Sequence, residues 1–274
     1  SIEDNPEIRM PLASAVARSA ATGLDKKLIQ LLTTEQDYRV KCNALRGFQN
    51  VELDSVKATI FNLIKDPNLH VAGLAAELIG RKGKKEDLYN YKALVTPEMD
   101  WRVKTKMYHS MMKLTPLFFT KFKNELAAEA EFYFSNATSP YEKAEWLSVL
   151  GDDPYQYLTL TSLYGKTTQP VERTAVIEAL GQILQHPEFI KAYGSKYIEV
   201  KAYIVKLLVN LSKTGDAGNV AITSAILKEP KTGAKGFVTD TLWFETAKSR
   251  LKLPQDIESY NELLQARAFL FVST

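Results

Sequence analysis

Between Asp37 and Phe48 the apolar residues fall at Val40, Ala44, Leu45 and Phe48, a spacing that places them on one stripe of a helix. The pattern returns along the chain, with starts at Asn5, Asp37, Asn68, Asp100, Ser139 and Gln169 that lie 32, 31, 32, 39 and 30 residues apart. Three positions after each start stands Ile8, Val40, Val71, Val103, Glu142 or Glu172, and the next position holds Arg9, Lys41, Ala72, Lys104, Lys143 or Arg173. Eleven positions after the start every copy is apolar: Val16, Phe48, Ile79, Met111, Leu150 and Leu180. A motif recurring at about 31 residues marks a repeat array, in which each copy is a supersecondary unit that cannot bury its apolar face alone.

The polar starter sits where a helix N-cap accepts an orphan N–H, and Pro140 and Pro170 follow their starters where a fixed φ suits the first turn. Closing glycines at Gly80, Gly151 and Gly181 predict left-handed helix ends. Second apolar stripes lie between these helices: Leu28-Ile29-Leu31-Leu32, Val56-Ile60-Phe61-Ile64, Leu88-Tyr91-Leu94-Val95, Phe122-Leu126-Phe132 and Tyr157-Leu160-Leu163. Each makes a hairpin with the helix after it. The long interval carries an insertion around Thr115-Pro116-Leu117-Phe118-Phe119. After Gln185-His186-Pro187 the pattern loosens into a helix from about Ser195 to Lys213, a turn at Gly215–Gly218, and helices over 217–228, 237–251 and 255–271 with a break at Lys252-Leu253-Pro254. The fold expected is all-α, a right-handed α-solenoid of about seven to eight hairpins whose second helices line the concave side. Residues 1–185 form its regular repeats and 186–274 continue it with divergent terminal helices. A terminal cap needs a polar outer face. The ending Phe269-Leu270-Phe271-Val272, with the start at Ser1 in place of Met, therefore predicts a mature form or an excised fragment.

Charge and chemistry narrow the function by exclusion. Thirty-five basic against 32 acidic residues leave a net charge of +3, short of the concentrated basic character of a nucleic-acid binder. The single Cys42 excludes an internal disulfide and a thiolate zinc cluster, and is expected to be an inert thiol. No apolar run is long enough to cross a membrane. His70, His109 and His186 have no partner four residues on, so a zincin motif is absent. No nucleophile elbow, P-loop or dinucleotide fingerprint occurs, and no cofactor is expected. Asp152-Asp153 before Pro154 reads as a helix start rather than a pair of catalytic carboxylates. Arg81-Lys82-Gly83-Lys84-Lys85 reads as a solvated loop, and Tyr89, Tyr91, Phe118, Phe119, Phe132 and Phe134 as core aromatics. Tyr38, Trp101 and Tyr141 either staple adjacent hairpins or line a groove.

What remains is a surface. Arg39, His70, Arg102 and Tyr141 share one offset, opposite the apolar stripe, and vary between copies; Arg46, Lys106 and His109 extend the same outward face. Basic on balance, this face is expected to hold a protein or peptide, acidic or extended.

The run Asp37-x-x-Val40-Lys41, repeated as Asp100-x-x-Val103-Lys104, resembles the second helix of a HEAT repeat over roughly residues 5–185. That resemblance implies a HEAT- or armadillo-like solenoid in which Asp37, Lys41, Asp100 and Lys104 link neighbouring repeats. Glu142 and Glu172 depart from it, standing where the family has Val. The wording of the repeats, with Leu253-Pro254-Gln255-Asp256-Ile257-Glu258-Ser259-Tyr260-Asn261-Glu262-Leu263, is similar to the helical-repeat region accompanying cyclophilin-type peptidyl-prolyl isomerases of Bacteroidetes-like bacteria. This second resemblance implies a non-catalytic scaffold beside an isomerase domain, in the cell envelope or periplasm; without it the expected place is the cytoplasm. The competing class is a HEAT-like DNA glycosylase, against which Glu77, Glu178 and the modest net charge argue.

Overall fold

The computed structural model describes residues 5–19, 23–48, 51–214, 217–232 and 234. Among them every regular element is helical and no strand occurs. The helices expected over 237–251 and 255–271, with the tail from Leu253 and the ending at Val272, lie outside the described residues. The chain divides into two compact units on either side of the Pro116–Leu117 bond.

The first unit contains α1 (Pro6–Arg18), α2 (Leu24–Thr34), α3 (Tyr38–Arg46), α4 (Leu53–Leu63), α5 (Leu69–Lys82), α6 (Leu88–Ala93) and α7 (Trp101–Leu114). Asn5, Asp37, Asn68 and Asp100 cap α1, α3, α5 and α7 as their spacing predicts. Each side-chain oxygen accepts a backbone N–H two residues on, at 2.9, 2.8, 3.1 and 2.9 Å. α1 packs on α3, α3 on α5 and α5 on α7, while α2, α4 and α6 each pack against the helix that follows. The positions eleven after the starts, Phe48, Ile79 and Met111, are buried, as are Val40, Val71 and Val103.

The offset-four residues of the first two copies tie each repeat to the next. The Arg9 guanidinium grips Glu35 through Nε and Nη2 at 3.0 and 3.1 Å. One repeat later Lys41 Nζ lies 3.1 Å from Asp66 Oδ2. Glu35 and Asp66 both stand two residues before the following starter, and each also accepts its backbone N–H, from Asp37 at 2.8 Å and Asn68 at 2.9 Å. Lys104 behaves differently, its Nζ donating to the Pro97 carbonyl at 3.2 Å in the loop before its own helix. Burial alone would raise the Glu35 carboxyl, but the Arg9 guanidinium and the Asp37 and Gln36 amides hold it below the usual 4.5. A carboxylate so depressed stabilises the fold above the unfolded value and loses that contribution as pH falls through the folded one. Arg9→Met should therefore weaken the protein near neutral pH, and its deficit against wild type in urea unfolding should shrink at about pH 3.

The second unit holds α8 (Thr120–Asn136), α9 (Pro140–Leu150), a 3₁₀ turn at Pro154–Gln156, α10 (Tyr157–Tyr164), α11 (Pro170–Leu184), α12 (Phe189–Tyr193), α13 (Tyr197–Thr214) and α14 (Ala217–Lys228). α8 packs on α9, α10 on α11 and α13 on α14, and α9, α11 and α14 stack in that order. One starter here does not cap as expected: Ser139 makes no side-chain cap bond, whereas Gln169 and Glu172 form a reciprocal capping box at the start of α11. Glu172, only 2 % exposed, accepts the backbone N–H groups of Thr168 and Gln169 at 2.9 and 3.4 Å. A glutamate three residues into a helix serves as such an acceptor, which accounts for its presence at a position that is Val in other copies.

The closing glycines are not left-handed helix ends. Gly80 and Gly181 lie inside α5 and α11, Gly151 follows α9 with φ −65°, and among the described residues only Gly23 and Gly194 have positive φ. Their role is close approach between stacked helices. A Cβ on Gly80 would sit 2.7 Å from Ser110 Oγ on α7, one on Gly151 2.9 Å from Ala179 Cα on α11, and one on Gly181 2.7 Å from Ile226 Cδ1 on α14. Three of the expected core aromatics are also corrected: Tyr89, Phe118 and Phe132 are exposed, whereas Tyr91 and Phe134 are buried. Two residues span 200° of a helix, so burying Tyr91 and Phe134 turns Tyr89 and Phe132 to solvent.

Candidate functional site

Stacking α3, α5 and α7 in one register aligns what each leaves uncovered. The residues not fully buried at i, i+4 and i+7 are Arg39, Asn43 and Arg46 on α3, His70, Leu74 and Glu77 on α5, and Arg102, Lys106 and His109 on α7. Six of the seven residues expected to form a binding face therefore share this side of the first unit, while Tyr141 stands half-buried on α9 in the second. The face is knitted by its own side chains. Tyr38 stacks on His70 with ring centroids 5.9 Å apart, joining α3 to α5. Lys106 pairs with Glu77, its stem lying over Gly73, where an added Cβ would come 3.1 Å from Cδ.

Sequence reasoning missed the carboxylates bound to these cations. Arg39 contacts Glu7 at 2.9 Å and Asp37 at 2.8 Å, and Arg102 grips Asp100 through Nε and Nη2, both at 2.9 Å. Hydrogen bonding from Arg39 lowers the Asp37 carboxyl; at Asp100 burial opposes the shift, but Arg102 still carries it below the usual range. The starter thus caps its helix with one oxygen and holds the arginine with both. An Asp two residues before an Arg is the sequence signal for this clasp, present at both Asp37 and Asp100. Arg46 is exposed, and the neighbouring Cys42 is buried with its thiol pushed up to about 11. Of the basic run, Arg81 lies in the last turn of α5, its Nη2 donating to the Leu45 carbonyl at 3.2 Å, and Lys84 pairs with Asp54, so part of that run is structural.

At the N-terminal ends of α5 and α7 lies an open cleft of about 320 Å³, with Ile64, Leu69, Ala72, Leu94, Met99 and Val103 among its walls. Lys65, Asp66, Glu98 and Asp100 supply its charge, Asp66 and Asp100 already paired with Lys41 and Arg102.

In the second unit Asp153 starts the 3₁₀ turn as expected, accepting from Tyr155 N at 3.3 Å and Gln156 Nε2 at 2.9 Å. Unforeseen from sequence, it is buried against Lys123 of α8, Nζ to Oδ1 3.7 Å, with both side chains at most 3 % exposed. Gln182 donates to Asp152 Oδ1. His186 accepts from Glu188 N at 3.2 Å, and burial followed by the Lys123 charge lowers its pKa. The Lys123–Asp153 pair joins α8 to the turn before α10.

Among the described residues no group of three His, Cys, Asp or Glu is placed to hold a metal ion, and no helix is long and apolar enough to cross a membrane. No family model, curated protein or solved structure matches the chain.

Proposed function

We propose that the protein is a helical-repeat scaffold of solenoid type that binds another protein or an extended peptide along the outward row of α3, α5 and α7. One observation carries this reading: three stacked helices present the same i, i+4, i+7 positions outward, filled by residues that vary between copies except for the shared Arg39 and Arg102. Repeat arrays use such rows as extended binding surfaces, with the shared positions packing and the variable ones selecting. The chain would act by contact alone, as a non-catalytic module of a larger protein. Its place beside a peptidyl-prolyl isomerase rests on the wording of the sequence. Acidic groups of a partner would compete with Glu7, Asp37, Asp100 and Glu77 for Arg39, Arg102 and Lys106. The same carboxylates disfavour the glycosylase alternative, since a phosphate backbone needs cations in excess of local anions.

The test is an unbiased peptide array probed with wild type and with a variant carrying Arg39→Glu, Arg102→Glu and Lys106→Glu, its helix content checked by circular dichroism. Saturable binding by wild type and its loss in a folded variant are expected. An array on which wild type binds nothing, or on which both bind alike, overturns the reading.

A further inference from the structure

Three consecutive joints of the first unit repeat one geometry with one omission. At the first joint Arg9 reaches Glu35, and at the second Lys41 reaches Asp66. Both cations occupy offset four, and both carboxylates stand two residues before the next starter. At the third joint the carboxylate is present as Glu98, two before Asp100, but offset four holds Ala72, 1 % exposed. Among the described residues Glu98 has no ion-pair or hydrogen-bond partner, in contrast to Glu35 and Asp66, which hold both a cation and the starter N–H. The cleft opens at this joint and is lined by both Ala72 and Glu98. It has the two halves of a site for a long cationic side chain: apolar walls at Leu94, Met99 and Val103 for an alkyl stem, and a carboxylate for its end. Lys65, the cation in its lining, is exposed and makes no bridge to Glu98 among the described residues.

We propose that the third joint receives an arginine or lysine side chain of a partner protein, which pairs with Glu98 and completes from outside the rung that the chain supplies itself at the first two joints. The partner's nature rests on the peptide-binding reading above. The cleft, however, uses none of the outward-row residues exchanged in the array test, so the two can fail separately.

The probe is n-butylguanidinium, with n-butylurea as its neutral isostere, titrated into the full chain while the labelled methyl signal of Met99 is followed by NMR. Butylguanidinium should shift that signal saturably, and butylurea should bind at least about tenfold more weakly, the loss expected for one charge-assisted hydrogen bond. Glu98→Gln should abolish the preference for the charged probe. Ala72→Arg, which returns the missing rung, should raise the melting temperature and remove the response to both probes. Equal response to the two probes, a preference surviving Glu98→Gln, or no saturable shift at all overturns the proposal; the Glu98→Gln result stands whether or not Ala72→Arg folds.

Discussion

Lys123→Met is expected to be among the most damaging single changes in the second unit, costing about 3–5 kcal/mol in urea unfolding. Lys123 and Asp153 are at most 3 % exposed, so removing the cation leaves a buried carboxyl with no opposite charge. Methionine replaces the alkyl stem closely, so the loss isolates the charge rather than a cavity. The double variant Lys123→Met with Asp153→Asn should recover most of the deficit. Asparagine keeps an oxygen for Tyr155 N while removing the charge, at the cost of the bond that Gln156 Nε2 makes to the second carboxylate oxygen. If the double variant is no more stable than the single one, the pair is not what holds α8 against the turn before α10.

Gly80→Leu should be comparably severe in the first unit, at about 3 kcal/mol, the upper end of overpacking. Even a Cβ would meet Ser110 Oγ at 2.7 Å and Ser110 Cα at 3.1 Å. The same side chain would displace the 2.8 Å hydrogen bond from Ser110 Oγ to the Ala76 carbonyl, leaving the hydroxyl unpaired in a buried joint. Gly80→Ala gives a sharper sign test. Inside an ordinary helix the exchange gains about 1 kcal/mol, whereas here it should lose stability. A rise in melting temperature for Gly80→Ala would show that α5 and α7 can separate at no cost.

The helices and their order were legible in the sequence because capping and apolar period act locally. Asn5, Asp37, Asn68 and Asp100 announce their helices by chemistry confined to two residues, and the core positions follow from the 3.6-residue turn. What stayed hidden depends on pairs distant in sequence. Gly80 looked like a helix end because the side chain it makes room for belongs to α7, 30 positions later. Lys123 carries no local signal, because its partner Asp153 stands 30 positions later in the chain. The ion pairs along the outward row stayed hidden, since Glu7 and Glu77 reach Arg39 and Lys106 only once the helices stack. The cleft escaped notice because its signal is a missing residue, Ala72 where two earlier copies hold a cation.

The burial of Cys42 makes the rest of the surface open to selective chemistry. It is the one cysteine in the chain, 3 % exposed, with its thiol pushed up to about 11 by burial before any nearby charge acts. At neutral pH almost none of it is thiolate, the form that alkylating reagents attack. A cysteine introduced at Asn43, Leu74 or Glu98 would therefore take a maleimide dye or spin label alone, on an otherwise unaltered background. Each joint of the first unit thus becomes addressable by a single probe, and two such cysteines together give a distance between joints.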